Sequence, residues 1–246
     1  MKKPFSSSVL KIALVLVVVS SLQSCIYINT RDNDIPPRGV ATRDLNLNNF
    51  DQLAMGSAYS IRVKKGENFS IKATGELNDL DDLDASVSRS GVLEIKYRNT
   101  WRKSRDRMDI DIVMPSLRGV DFSGASVSTI EGFENERTLD YRLSGASKST
   151  FIGSADRLGI DLSGASELTL NGRSGLIIGE ISGASQLYAF DFPVDEADLN
   201  LSGASRARVR VVKFLKVDAS GASNVRYLGN PTVEQRLSGS SSVARE

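Results

Sequence analysis

Carboxylates, cationic side chains and aromatic rings must carry any chemistry in this chain, because its 246 residues contain no histidine and one cysteine. Imidazole bases, Ser-His and Cys-His dyads and His-bound zinc are thereby excluded. Three groupings remain. Asp161 and Glu180 occupy the same place in two successive repeats, and adjacent coils would set them about 5 Å apart, close to the carboxylate spacing of a retaining glycosidase. The segment "KYRNTWRKSRDR" (Lys96 to Arg107) places Tyr97 and the only tryptophan, Trp101, beside Arg102 and Arg105. Such a platform suits a sugar ring and its acidic groups. In "RARVRVVKFLK" (Arg206 to Lys216), Arg206, Arg208 and Arg210 alternate with Ala207 and Val209, lining one strand face with positive charge. Each grouping also has a plainer reading. Asp121, Arg142 and Asp161 would form a solvated ladder of offsetting charges. The tryptophan segment would be a loop with Trp101 packed on the wall. The arginines would keep an exposed sheet soluble and discourage edge pairing.

The elements that position these groups follow from a repeat. "LSGAS" occurs at Leu143, Leu162 and Leu201, with variants at Phe122, Ile181, Ala219 and Leu237. The first serines fall at 123, 144, 163, 182, 202, 220 and 238, at intervals of 18 to 21 residues. A fixed period of this length marks a solenoid, and it is too short for helical repeats or propeller blades. One and three residues before that serine the chain is largely apolar, and the residue between is polar throughout, from Asp121 to Arg236. Five and seven residues after it a second alternation begins. Each repeat is therefore strand, sharp corner, strand, which leaves little room for the helix of a leucine-rich repeat. The expected fold is all-β: a parallel β-helix or β-solenoid, right-handed by the rule for parallel crossovers. Glycine at Gly124, Gly145, Gly164, Gly183, Gly203, Gly221 and Gly239 supplies a positive φ. Alanine is expected to fill the narrow inner corner, and the serines to cap turn amides or bond along the stack.

Residues 45–117 read as less regular β structure, with strands at "YSIRV", "FSIKA", "VLEIKY" and "MDIDIVM" and a helical turn or loop at "ELNDLDDLD". The regular repeats start near residue 118. Gln235 and Arg245 stand where earlier coils are apolar, so the last coil reads as a polar cap against end-to-end stacking.

The N-terminus is a targeting segment. Lys2, Lys3 and Lys11 precede or flank the apolar run Ile12 to Val19, which is shorter than the ~20 residues that span a bilayer. "LQSC" at Leu22 to Cys25 resembles a bacterial lipobox, in which cleavage leaves an acylated cysteine. Residues 1–24 are thus expected to be a lipoprotein signal peptide, and 25–44 the acylated Cys25 and a flexible tether reaching about 25 Å. Losing residues 1–24 removes three lysines and no acids, moving the formal charge from +1 to −2. A near-neutral body gives no reason to expect a nucleic-acid partner. No metal or cofactor is expected either, since the sole cysteine is acylated.

The lipobox, "FDQLAMGSAYSIRVKKGE" (Phe50 to Glu67), "VMPSLRGVDFSGAS" (Val113 to Ser126) and the serial corners together resemble the bacterial head GIN domain family of autotransporter adhesins. The resemblance spans residues 45–246. It implies a right-handed β-helix related in shape to pectate lyases but without their catalytic residues, and an adhesive role, with a homotrimer as one way of associating. The function expected is a non-enzymatic envelope lipoprotein that binds carbohydrate or protein through a flat face, anchored to the outer membrane of a Gram-negative cell. The alternatives are a β-helix glycan hydrolase or lyase, and a structural or signalling envelope component. Coils that vary by only three residues leave no long insertions to build a cleft, which favours binding.

Overall fold

Period-two segments become strands throughout residues 36–100 and 104–246, which the computed structural model describes. The strands β1 (Val40–Asp44), β2 (Gln52–Gly56), β3 (Ser60–Lys65) and β4 (Ser70–Glu76) lead into a short helix, α1 (Leu77–Asp82). Then come β5 (Leu83–Val87), β6 (Val92–Tyr97), β7 (Asp109–Met114) and β8 (Gly119–Ser123). The long strands β9 (Val127–Leu143), β10 (Lys148–Leu162), β11 (Glu167–Ile181), β12 (Gln186–Leu201) and β13 (Arg206–Ala219) each run from one corner to the next. The chain ends with β14 (Asn224–Leu228), β15 (Thr232–Leu237) and β16 (Ser242–Arg245). From β8 onward neighbouring strands pair in parallel, one coil on the next, at about 19 residues per turn. Pro37–Glu246 form one compact unit. The tether therefore ends sooner than expected, because Val40–Asp44 pairs antiparallel with β4.

The corners behave as the repeat requires, with one correction. All seven corner glycines have φ between +70° and +78°, the left-handed region that glycine enters without steric cost. The Ala165 amide donates to the Gly145 carbonyl and the Ala184 amide to the Gly164 carbonyl, each at 2.7 Å, so the ladder continues around the bend. A Cβ on Gly164 would lie 2.5 Å from the Gly145 oxygen. Alanine, however, does not fill the inner corner. Ala125, Ala146 and Ala165 are exposed, and the second serine of the first six corners is buried instead: Ser126, Ser147, Ser166, Ser185, Ser205 and Ser223. The Ser126 hydroxyl donates to Ser147 at 3.1 Å, Ser166 to Ser185 at 3.2 Å and Ser205 to Ser223 at 3.3 Å. Serine suits this place because a hydroxyl so small can reach its own copy one coil away, where alanine would offer no bond.

Inside, the aligned columns interlock by size. Tyr141 takes a position filled elsewhere by Val120 and Ile160, and the space it needs is left by Ser128 and Ser149 across the interior. Its hydroxyl and that of Ser149 lie 2.9 Å apart, which satisfies a polar atom that is otherwise fully enclosed. Burial pushes the Tyr141 phenol far up from its ordinary pKa, so it stays neutral.

The N-terminal region holds coils that the repeat pattern does not show. β2 pairs in parallel with both β8 and β6, and β3 with both β9 and β7. Residues 52–65 thus form a coil whose corner, "GSAY", lies level with Ser123 to Ser126, putting buried Tyr59 in the serine column. This coil is sandwiched between one formed by β6 and β7 and one formed by β8 and β9. The far end is covered by antiparallel additions, β4 on β7, β1 on β4 and β5 on β6. The acidic stretch resolves as α1, begun by Glu76, whose carboxylate accepts from the Asn78 amide at 2.8 Å.

Replacing Gly164 by valine is expected to cost roughly 3 kcal/mol or more, from the forced φ and the backbone contact together. The check is thermal unfolding of the purified protein, with a midpoint lowered by on the order of 10 °C; an unchanged midpoint would contradict this corner geometry.

Candidate functional site

The outward residues of the coils form columns along the stack, and in most of them charge alternates in sign. Arg142 lies 3.3 Å from both Asp121 and Asp161. The hydrogen bond it donates to Asp121 is the largest cause of its raised pKa. The same alternation joins Lys148 to Glu167 at 3.5 Å, Lys213 to Asp195 at 2.9 Å and Lys216 to Asp198 at 2.8 Å. It also joins Arg62 to Asp111 and Lys64 to Glu131. Parallel in-register coils bring identical positions together, so like charges there would repel, and opposite charges relieve the column. Asp161 and Glu180 are register neighbours, as the repeat implies. Both are solvent-facing, and Asp161 is half exposed and offset by Arg142. A general acid needs a desolvating pocket of its own; these two line a wide concavity of about 600 Å³ with Asp121, Asp140 and Arg142, but both side chains remain in water there. Among the described residues no group of three or more acids is arranged to hold a metal.

The segment after β6 turns inward. The Arg105 guanidinium lies 3.8 Å from the centroid of the Tyr97 ring. It donates to Asp79 Oδ1 at 2.8 Å, to the Asn99 carbonyl at 2.7 Å and to Asp82 Oδ2. Its side chain is 11% exposed and that of Asp79 2%. Tyr97 packs on Tyr59 with centroids 5.4 Å apart, and burial pushes its phenol up to about 12. Of the two readings of this segment, ligand platform or structural loop, the structure favours the structural one for Tyr97 and Arg105, which close the space against α1. Two buried carboxylates need a cation held close, and the planar guanidinium can serve both at once. Trp101 and Arg102 lie outside the described residues. The sequence signal for this cluster was available in α1, where Asp79 and Asp82 sit one helical turn apart and face the same way.

The third grouping stays at the surface. Arg206, Arg208 and Arg210 are exposed, while Ala207 and Val209 between them are buried. Successive outward positions on a strand are about 6.6 Å apart. In register, Arg206 lies between Gln186 and Asn224, and Arg208 between Tyr188 and Arg226. The Arg208 guanidinium is 5.6 Å from the Tyr188 ring centroid. Arg226 is 3.9 Å from Glu246. Among the described residues, none of Arg206, Arg208 and Arg210 forms a salt bridge. A shallow groove of about 420 Å³ runs over Gln186, Tyr188, Arg206, Arg208 and Arg226. Residue type alone does not mark Tyr188 in the sequence; the available signal is its place in a column that continues as Arg208 and Arg226.

A family model described as "Putative auto-transporter adhesin, head GIN domain" matches residues 49–231. Among solved structures, one named a "putative adhesin" from Bacteroides fragilis is 18% identical, with a TM-score of 0.77 over 85% of this chain and 97% of that one. A second of that name, from Parabacteroides distasonis, is 16% identical, with a TM-score of 0.69 over 85% and 97%. A further P. distasonis structure, named a "putative lipid binding protein", is 15% identical, with a TM-score of 0.65 over 86% and 99%. At these identities the likeness is one of fold. Among curated proteins none matches. No helix among the described residues is long and apolar enough to cross a membrane.

The two kinds of arginine should separate in a stability measurement. Arg105→Leu leaves Asp79 and Asp82 buried without their cation and is expected to cost about 3–5 kcal/mol. Arg208→Ala, at the surface, should stay within about 0.5 kcal/mol of the parent. Urea unfolding of both variants reads the difference; equal midpoints would contradict the assignment of Arg105 to the interior.

Proposed function

Because the chain belongs to the head GIN domain family of autotransporter adhesins, we propose that it is a non-enzymatic binding module whose ligand face is the arginine strand of β13. The observation that carries this is the exception to charge alternation. Many cations elsewhere on the coils, such as Arg142, Lys148, Lys213 and Lys216, meet a carboxylate on the next coil, and those that do not, such as Arg137 and Arg173, stand singly, whereas Arg206, Arg208 and Arg210 stand together on one strand face without one among the described residues. Clustered like charges destabilise a sheet face unless a counter-charge covers them. The matching ligand is linear and anionic, with charges several ångströms apart. Guanidinium groups bind carboxylate or sulfate in paired hydrogen bonds, and the Tyr188 ring beside Arg208 offers a surface on which a sugar can stack. An acidic polysaccharide fits both features. A bilayer surface fits the charge less fully, since Val212 beside Arg210 is the one large aliphatic side chain exposed on this strand among the described residues.

The acids of the opposite columns take no part in this reading. Asp161 and Glu180 belong to a water-exposed ladder, and the face works by retention, with no bond made or broken.

Arg206→Glu with Arg208→Glu and Arg210→Glu should abolish retention of uronate-rich or sulfated glycans, while neutral glycans are unaffected. Retention by the parent should weaken steeply between low and moderate salt. Parent-like retention by the triple variant would overturn the proposal, as would preference for anionic lipid vesicles over the glycans. Asp161→Asn with Glu180→Gln should change neither retention nor product release; a cleavage activity lost in that variant would favour the hydrolase alternative.

The anchor completes the reading. Cys25 lies outside the described residues, and its acylation rests on "LQSC" following an apolar run. In the producing cell, Cys25→Ser should abolish metabolic labelling by a fatty-acid analogue and release the protein from the membrane fraction. Label retained by the variant would exclude this anchor.

A further inference from the structure

We propose that two copies of the chain join end to end through β15, antiparallel and centred on Gln235. β15 is bonded along one edge only, to β13, and its other edge is the open end of the coil stack. An unpaired edge invites a strand, and the residues of β15 specify which one. Its sequence is "TVEQRL", Thr232 to Leu237. Antiparallel pairing with itself about Gln235 sets Val233 opposite Leu237, Glu234 opposite Arg236 and Gln235 opposite Gln235.

Each of these matches answers something left incomplete at the coil end. Leu237 is 42% exposed although its counterparts Leu143, Leu162 and Leu201 are buried; Val233 of the second copy would cover it. The outward charges continue columns already present. Along one, Asp198 meets Lys216 at 2.8 Å and Lys216 is in register with Glu234. The next charge should be positive, and it would be Arg236 of the second copy. Along the other, Asp218 is in register with Arg236, and the next charge should be negative, as Glu234 of the second copy would be. The alternation that orders the solenoid therefore runs across the two-fold without a break. Gln235 replaces an apolar interior residue, and its amide can donate to and accept from an identical amide facing it.

The same residues disfavour open-ended stacking. β5, one of the free edges at the far end, could set Asp84 opposite Arg236, but Gln235 would then face Ala85 and its amide would be buried without a partner, a costly arrangement. A two-fold contact consumes both surfaces and closes. The polar end thus stops fibres while accepting one partner, a second copy of this chain.

Cysteine substitution in the full chain, expressed in its own envelope, tests the pairing. Gln235→Cys should give a disulfide-linked dimer as the main species on non-reducing gels, beyond any background from Cys25 in the parent. Arg208→Cys, on the side of the coils, should match the parent. Adding Glu234→Arg to Gln235→Cys should suppress the dimer by bringing like charges together, and adding Arg236→Glu as well should restore it. A cysteine-free measurement runs in parallel: sedimentation of the full chain in detergent, where Glu234→Arg shifts the parent dimer to monomer and the charge swap reverses the shift. A monomeric parent, no cross-link at Gln235→Cys, equal cross-linking at Arg208→Cys, or indifference to the charge reversal would each overturn the proposal.

Discussion

The spacing between coils at the corner is the constraint on which the rest depends. At Gly164 the next backbone lies so near that a Cβ would stand 2.5 Å from the carbonyl oxygen of Gly145, and that closeness lets the ladder pass unbroken around the bend. Everything else on the coil inherits the resulting register. The second serine can bond its own copy because the copy lies directly above it. The same register aligns Asp121, Arg142 and Asp161, and it turns Arg206, Arg208 and Arg210 to one side. A looser corner would preserve the strands but lose the vertical columns that give each face its character.

Those columns give a physical account of why blandness and charge share one repeat. Positions facing the turn admit only small residues, so they carry no chemical information. Outward positions are free in size but coupled in sign, because each stands against its own neighbours. On such a scaffold, departures from that coupling are few enough to stand out. The arginines of β13 break it by clustering, and β15 breaks it by ending a column with its next charge missing.

The sequence made the regular half legible because a corner repeated in series aligns itself. Residue pairs such as Asp161 with Glu180 could be placed before any coordinates, as could the exposure of Gln235 and Arg245. The coil at residues 52–65 escaped because its corner reads "GSAY", with Tyr59 in the serine position and a serine at Ser57, whose φ is +148°, in place of the glycine. Its neighbours in space are also not its neighbours in the chain, and no spacing rule reveals that. Size alone does not distinguish alanine from serine for the inner corner; hydrogen bonding along the stack selects serine. The partners of Arg105, Asp79 and Asp82, lie across a break in regularity, where periodicity cannot say which side chains meet.

The sandwiched position of the 52–65 coil has a bearing on the order in which the body forms. From β9 onward each turn rests on the one made just before it, so ordering needs only local closure. The early coil is different: one of its faces is completed by β6 and β7 and the other by β8 and β9, all later in the chain. Its backbone groups remain half-paired until about residue 131 is present. Bridging those separations carries the main loop-closure cost in the molecule. A chain crossing a membrane N-terminus first would thus reach the far side with its first coil unfinished, wait for the return strand, and only then lengthen turn by turn.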